Sequence, residues 1–247
     1  MNKQVVLITG ALKGIGRATA FAFAREGANL VISGRNRDVG ESLAKELRAL
    51  GNQVEFVEAD VTKESEVRSL VGKTVGRFGR IDVAVNNAGT EGKSGPIVDQ
   101  TIESYQSTFD TNVLGTFLSL KYELKAMLPQ GEGSIINLSS TLGQKAAPGL
   151  SIYAATKHAV EGLTKTAALE VASANIRVNA VAPGPVDTDM LSRLTGSPEK
   201  KAGMAAGVPL KRLARPEEIA QTIVFLASDK APFITGQIVG VDGGKMA

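Results

Sequence analysis

Short runs rich in Val and Ile recur along this chain, and stretches long enough for helices separate them. The runs are Val5–Thr9, Asn29–Ser33, Val54–Ala59, Ile81–Val85, Ser134–Leu138, Ile176–Ala182 and Gln237–Val241. Between the first four lie helix-like stretches at Gly16–Glu26, Asp38–Leu50 and Lys63–Phe78. Such alternation builds βαβ units and a parallel sheet. The runs are apolar throughout, as expected of strands covered on both faces. The predicted class is therefore α/β: a doubly wound parallel sheet of about seven strands with helices on both faces. No low-complexity linker or internal repeat interrupts the pattern, which predicts one domain over residues 1–247. Only Asp187–Val208 departs from it. That stretch holds Gly196, Pro198, Gly203 and Gly207 and is expected to be irregular, as a lid or a surface loop.

Composition narrows the chemistry. The chain has no Cys, which removes disulfides, thiolate metal sites and a Cys nucleophile. Its one His, His158, removes a multi-His zinc site, and no metal is expected. The net charge is +3, but the basic residues are scattered and aromatics are only 4%. The densest basic cluster, Lys211, Arg212 and Arg215, reads as solvated surface, so nucleic acid is not an expected partner. Near the start, Val5–Ile8 is too short an apolar run for a signal peptide or a membrane span. A soluble, cytoplasmic protein is the expectation.

The first strand runs into Thr9-Gly10-Ala11-Leu12-Lys13-Gly14-Ile15-Gly16, and a helix follows directly. In this reading Gly10 permits a tight turn, Gly14 lets a diphosphate approach the backbone, and Gly16 lets helix and strand pack closely. The free N–H groups of the helix start, at Ile15 and Gly16, would face the anion. Further along come Asp60-Val61 after the third strand and Asn86-Asn87-Ala88-Gly89 after the fourth. Then follow Asn112, Ser140, Tyr153-Ala154-Ala155-Thr156-Lys157, and Pro183-Gly184 with Val186 and Thr188. On these motifs, in this order and over nearly its whole length, the chain resembles the short form of the short-chain dehydrogenase/reductase family. A Rossmann-type NAD(P)-binding domain and oxidoreductase activity are what the resemblance implies.

Tyr153 and Lys157 are four residues apart and share a helix face. Taken alone, the spacing equally fits a solvated pair without a role. As a working pair, the ammonium would lower the phenol pKa from about 10, and Tyr153 would exchange a proton with a substrate oxygen. Ser140 lies thirteen residues before Tyr153, at the family's spacing, where its hydroxyl would polarise a carbonyl. Ser139 is expected to satisfy backbone instead. At the family's fourth position, Asn112 would hold a water that relays protons from Lys157, or bond a kinked helix backbone; the two are compatible. His158 points about 100° away from Lys157 and is read as packing or surface. Asp60 either caps a turn or contacts adenine. Val61 is a further cofactor contact, Asn87, Ala88 and Gly89 would line the nicotinamide ribose, and Pro183, Gly184, Val186 and Thr188 match the family's loop at the carboxamide and phosphate end.

An acid about 20 residues past the glycine turn would bind a ribose diol. That region reads Ser33-Gly34-Arg35-Asn36-Arg37, and Asp38 fits the next helix start better. Arg35 and Lys13 resemble the cations of the family's NADP-preferring members, so NADP(H) is expected over NAD(H), with Arg35 on the 2′-phosphate.

Three functions follow. The first is an NADPH-dependent carbonyl reductase or secondary-alcohol dehydrogenase acting on a small ketone or alcohol. Its pocket would include Ser140, Tyr153, Leu142, Met190 and Leu191, with apolar walls from Thr141–Leu150, Glu91–Gly95 and the stretch beyond Thr188. The second is a 3-oxoacyl-[acyl-carrier-protein] reductase. Family members of that kind commonly carry arginines for the carrier where this chain has Gln130-Gly131-Glu132-Gly133 and Ala172-Ser173-Ala174-Asn175. The third is a non-catalytic NADPH sensor or scaffold, which usually has a damaged tetrad. Apolar positions in Ser104–Met127 and Tyr153–Ser173, with the last strand, suggest a homotetramer of the family's kind.

Overall fold

The computed structural model describes residues 3–247; Met1 and Asn2, which belong to the expected 1–247 domain, lie outside the described residues. Seven strands form the sheet: β1 (Val5–Thr9), β2 (Asn29–Gly34), β3 (Val54–Glu58), β4 (Val83–Asn86), β5 (Gly133–Leu138), β6 (Ile176–Pro183) and β7 (Ile238–Val241). All neighbouring pairs are parallel, in the order β3-β2-β1-β4-β5-β6-β7. Among the described residues there are nine α-helices: α1 (Gly14–Arg25), α2 (Arg37–Arg48), α3 (Glu64–Phe78), α4 (Ile102–Phe109), α5 (Gly115–Met127), α6 (Ser151–Val171), α7 (Asp189–Thr195), α8 (Pro198–Ala206) and α9 (Pro216–Ala227).

Alternate strand residues feed two cores, because side chains leave a strand on opposite faces in turn. Val6, Ile8, Leu30 and Ile32 pack with Phe23, Leu43, Leu47 and Ile223 of α1, α2 and α9. On the other face Leu7, Val31 and Ile135 pack with Leu70, Leu120 and Val171 of α3, α5 and α6. Each buried aliphatic side chain stabilises this arrangement by roughly 1.5–3 kcal/mol relative to leaving it exposed. No helix of the described residues is long and apolar enough to cross a membrane.

Three expectations change. The fourth strand begins at Val83 rather than Ile81, because the Asp82 carboxylate accepts the Val5 N–H at 2.7 Å and caps the start of β1. Ser104–Met127 belongs to one continuous rod but not to a uniform α-helix: a π turn over Asp110–Leu114 joins α4 to α5. The stretch Asp187–Val208 is not irregular, since it holds α7 and α8. Gly196, Pro198 and Gly207 mark helix ends: Gly196 is left-handed (φ +67) at the end of α7, Ser197 caps α8, which Pro198 opens and Gly207 closes, while Gly203 lies within α8.

Candidate active site

The sheet order reverses between β1 and β4, and the loops leaving the carboxyl ends of β1, β4, β5 and β6 surround one crevice there. Crevices at such reversal points bind ligands in open α/β sheets. On the β1 side the wall is backbone. Gly10 and Gly14 have φ of +62 and +51, a region that favours glycine. A Cβ on Gly10 would stand 2.7 Å from Ala88 Cα. On Gly16 it would stand 2.3 Å from the Gly10 carbonyl oxygen and 2.4 Å from Asn87 Nδ2. Gly16 thus makes room for the turn itself and for Asn87, a correction to the expected helix–strand packing role. Asn87 donates to the Gly10 carbonyl at 2.7 Å and ties the turn to the end of β4.

α1 begins without a side-chain cap at Lys13 and has no acid in its first turn. Asn36, Thr101, Thr188 and Ser197 cap α2, α4, α7 and α8, whereas α3 and α6, like α1, start without a side-chain cap. The open N–H groups around Ile15 and Gly16, with the shallow glycine backbone, fit a diphosphate. At the end of β2, Arg35 is exposed and makes no ion pair among the described residues, whereas Arg37 pairs with Glu58. Lys13 lies 3.6 Å from Asp189 in an exposed pair, a weak tie that leaves it available. Burial raises the Asp60 pKa, but hydrogen bonds from Thr62 and the charges of Arg35 and Lys63 outweigh that and hold it low. The Val61 side chain is buried with Val67 and Leu118, so any ligand contact there falls to its backbone.

On the β5 and β6 side the wall is made of side chains. Ser140, Tyr153 and Lys157 line a cleft of about 460 Å³, together with Ile15, Asn87, Gly89, Pro183, Gly184, Val186 and Thr188. Leu142, Met190, Leu191, Leu194 and Met204 give it apolar walls. Gly184 lies against Asp242, where a Cβ would approach Cα to 2.8 Å. Lys157 is buried, donates to the Leu138 carbonyl at 2.7 Å, and lies 5.6 Å from the Tyr153 ring centre.

Burial dominates the titration of both groups. It pushes the Tyr153 phenol up to about 12; Ser140 draws it down and the Glu91 carboxylate adds to the rise. It also pushes the Lys157 ammonium down to about 8. The expected lowering of the phenol by Lys157 is not found: desolvation of the anion raises it, and Lys157 is not among the groups that act on it. At neutral pH Tyr153 is a proton-bearing phenol.

Asn112 lies within the π turn. Its Oδ1 accepts from Thr90 N at 2.8 Å, and its Nδ2 donates to Thr90 O at 2.9 Å and Thr156 Oγ1 at 3.0 Å. It therefore anchors the loop after β4 to α6; the backbone it bonds is that of this loop, not that of its own kinked helix as expected. Ser139 does not chiefly satisfy backbone as expected: its hydroxyl donates to the buried Glu161 carboxylate at 2.8 Å and only weakly, at 3.5 Å, to the Ser140 carbonyl. His158 is exposed and its Nδ1 lies 2.9 Å from the Ala154 carbonyl oxygen.

Sequence reasoning missed the floor beneath the crevice. Asn86 donates to Glu123 Oε2 at 2.9 Å and to Asn137 Oδ1 at 3.0 Å, and Asn137 donates to Thr164. Burial pushes the Glu123 carboxyl up to about 7 against the pull of Asn86. Glu123 on α5 belongs to no motif, and only an acid in an otherwise apolar helix face could have signalled it. Also unforeseen is the two-bonded pair of Arg193 on α7 with Glu91, at 2.8 and 3.1 Å, which fastens α7 across the cleft mouth.

Residues 10–245 match the family model described as "Enoyl-(Acyl carrier protein) reductase". A 3-oxoacyl-[acyl-carrier-protein] reductase FabG of Thermotoga maritima is 43% identical, covering 99% of this chain and 98% of its own length. Levodione reductase superposes with a TM-score of 0.95 at 37% identity, covering 98% of this chain and 97% of its own. ElxO with NADP bound gives 0.94 at 36%, covering 99% of each chain. With the glycine turn, the Ser–Tyr–Lys group and the sheet order in place, the chain belongs to the short-chain dehydrogenase/reductase family.

Proposed function

We propose that this protein is an NADPH-dependent carbonyl reductase, reversible as a secondary-alcohol dehydrogenase, for a ketone with apolar substituents. The observation that carries the reading is the convergence of Ser140, Tyr153 and Lys157 on one apolar cleft beside the uncapped start of α1. NADPH, when bound, supplies the hydride that goes to the carbonyl carbon. Its diphosphate would rest on Gly14, Ile15 and Gly16, and its 2′-phosphate on Arg35 and Lys13. Asp60, Val61, Asn87, Ala88 and Gly89 would line its nucleoside parts, and Pro183, Gly184, Val186 and Thr188 its nicotinamide end. The Ser140 hydroxyl donates to the carbonyl oxygen and draws electron density from the carbon. The Tyr153 hydroxyl delivers its proton to the oxygen as the alkoxide forms, and a phenol protonated at neutral pH suits that direction. Lys157 would donate to the cofactor ribose and favour the phenolate left behind. Leu142, Met190 and Leu191 would hold the apolar body of the substrate.

Cofactor oxidation over a panel of ketones tests this. The expected result is consumption of NADPH with apolar ketones, at a kcat/KM at least tenfold above that with NADH. Equal or better use of NADH overturns the Arg35 assignment, and preference for aldoses overturns the apolar pocket.

The 43% identity to a 3-oxoacyl-[acyl-carrier-protein] reductase favours a second reading, in which the ketone is a carrier-bound thioester. Against it, Gln130–Gly133 and Ala172–Asn175 offer no basic residue to an acidic carrier. A kcat/KM higher for the carrier-bound substrate than for simple ketones selects the second reading.

A homotetramer goes with either reading. Tyr105 and Phe117 on α4 and α5 and Leu169 on α6 are exposed, and β7 closes one edge of the sheet. Light scattering is expected to give four times the chain mass; a value near 25.8 kDa overturns the assembly.

A further inference from the structure

We infer that the substrate's apolar body carries an anionic oxygen group, and that Lys145 and Lys245 receive that group. The inference rests on the reductase reading above and specifies its substrate class. Both lysines line the cleft that holds Ser140 and Tyr153. They come from segments a hundred residues apart, the loop after β5 and the tail after β7. Lys145 Nζ donates to the Lys245 carbonyl oxygen at 3.2 Å, which brings the two segments together.

Both side chains are half-buried, yet neither forms an ion pair among the described residues. The other charges of the cleft are spoken for. Glu91 takes Arg193 in two bonds, and Lys157 donates to the Leu138 carbonyl. Asp242 acts on Lys245 from a distance, while its Oδ1 accepts the Gly244 N–H. Burial and then the Lys145 charge hold the Lys245 ammonium below its ordinary range. Two half-desolvated cations in an apolar cleft repel each other, and an oxyanion between them would satisfy both. The same cleft offers Ser140 and Tyr153 to a carbonyl. Together these groups describe a keto acid, or a ketone bearing a phosphate.

The test compares 4-acetylbenzoate with its methyl ester, and 4-acetylphenyl phosphate as the phosphate arm, on the native protein with NADPH. A charge-assisted contact predicts an anion over ester ratio of about ten to a hundred in kcat/KM, carried mainly by KM. Whichever anion leads identifies the group. The ratio should fall partway in Lys145→Met and in Lys245→Met and reach about one in the double variant, and Lys145→Glu should invert it. A native ratio of one or less for both anions, or a ratio that persists in the double variant, overturns the inference. Calorimetry with the same three compounds reads the site without turnover. Anion-selective binding lost in the double variant, with no ketone reduced, would keep the anion site and remove the reductase reading. Equal reduction of all three would do the reverse. Calorimetry that shows no anion preference also overturns the inference.

Discussion

Around β1 and β2 the crevice is bounded by backbone, and around β5 and β6 by side chains. The first wall depends on two left-handed glycines, on Gly16 packed 2.3 Å from a carbonyl oxygen at its virtual Cβ, and on a helix start without a cap. The second depends on a hydroxyl, a phenol and an ammonium held by α6 and the turn after β5. A backbone wall is specified by what cannot be added to it. A side-chain wall tolerates change in shape, but its chemistry resides in a few atoms. Changes of equal size should therefore have different consequences on the two sides.

The largest effect is expected on the side-chain wall. Tyr153→Phe keeps the ring and removes the proton. Turnover should fall by roughly 10²–10⁴-fold, the usual contribution of a placed general acid. NADPH affinity, read by fluorescence titration, should stay within a few-fold. Near-native turnover would sink the assignment of Tyr153.

Gly16→Ala is the converse, a single methyl added to the backbone wall. The turn or Asn87 must shift, which costs roughly 1–3 kcal/mol of stability by overpacking. NADPH affinity should weaken tenfold or more, while any residual turnover at saturating NADPH stays comparable. Unchanged affinity would show that the turn does not hold the cofactor.

An effect on stability alone, sparing turnover and cofactor affinity, should come from the floor that both walls share. Between about pH 4.5 and 7 the folded protein binds a proton at Glu123 that the unfolded chain does not. Stability should therefore fall as pH rises through that window, by about 3 kcal/mol at most. Lys157 acts with the opposite sign. Its folded pKa of about 8 lies below the ordinary 10.5, so its contribution to stability should rise with pH between those values. Urea unfolding across the pH range reads both slopes. Glu123→Gln should flatten the acidic one alone, and an unchanged slope in that variant would exclude Glu123 as its source.

The backbone wall was largely legible in the sequence, because glycine spacing and strand-then-helix context are local signals. Gly10, Gly14, Asn87 and Arg35 all fall where that reading places them. The tetrad residues were legible through family spacing, and three of them meet at the cleft while Asn112 anchors the loop beside it. Titration was not legible: a spacing of four suggests attraction between Tyr153 and Lys157, but says nothing about the burial that raises the phenol and lowers the ammonium. Nor could sequence join Lys145 to Lys245 or Arg193 to Glu91, since tertiary packing alone creates those neighbours. The helices in Asp187–Val208 are a different kind of miss. Gly196 and Pro198 suggest a loop in the sequence, yet with Thr188 and Ser197 they are the end signals of α7 and α8.

The π turn at Asp110–Leu114 also sets a rule about length. Its wider winding accommodates one residue beyond the α-helical count, so the segments before and after it are out of phase by about 100°. α4 consequently buries only Thr108, while α5 can aim Leu118, Glu123 and Met127 inward. A one-residue deletion there would mend the winding and misalign the cargo. Either Asn112 would leave Thr90, or Glu123 would rotate off Asn86. The chain can vary its surface loops freely, but in this rod the residue count itself is under constraint.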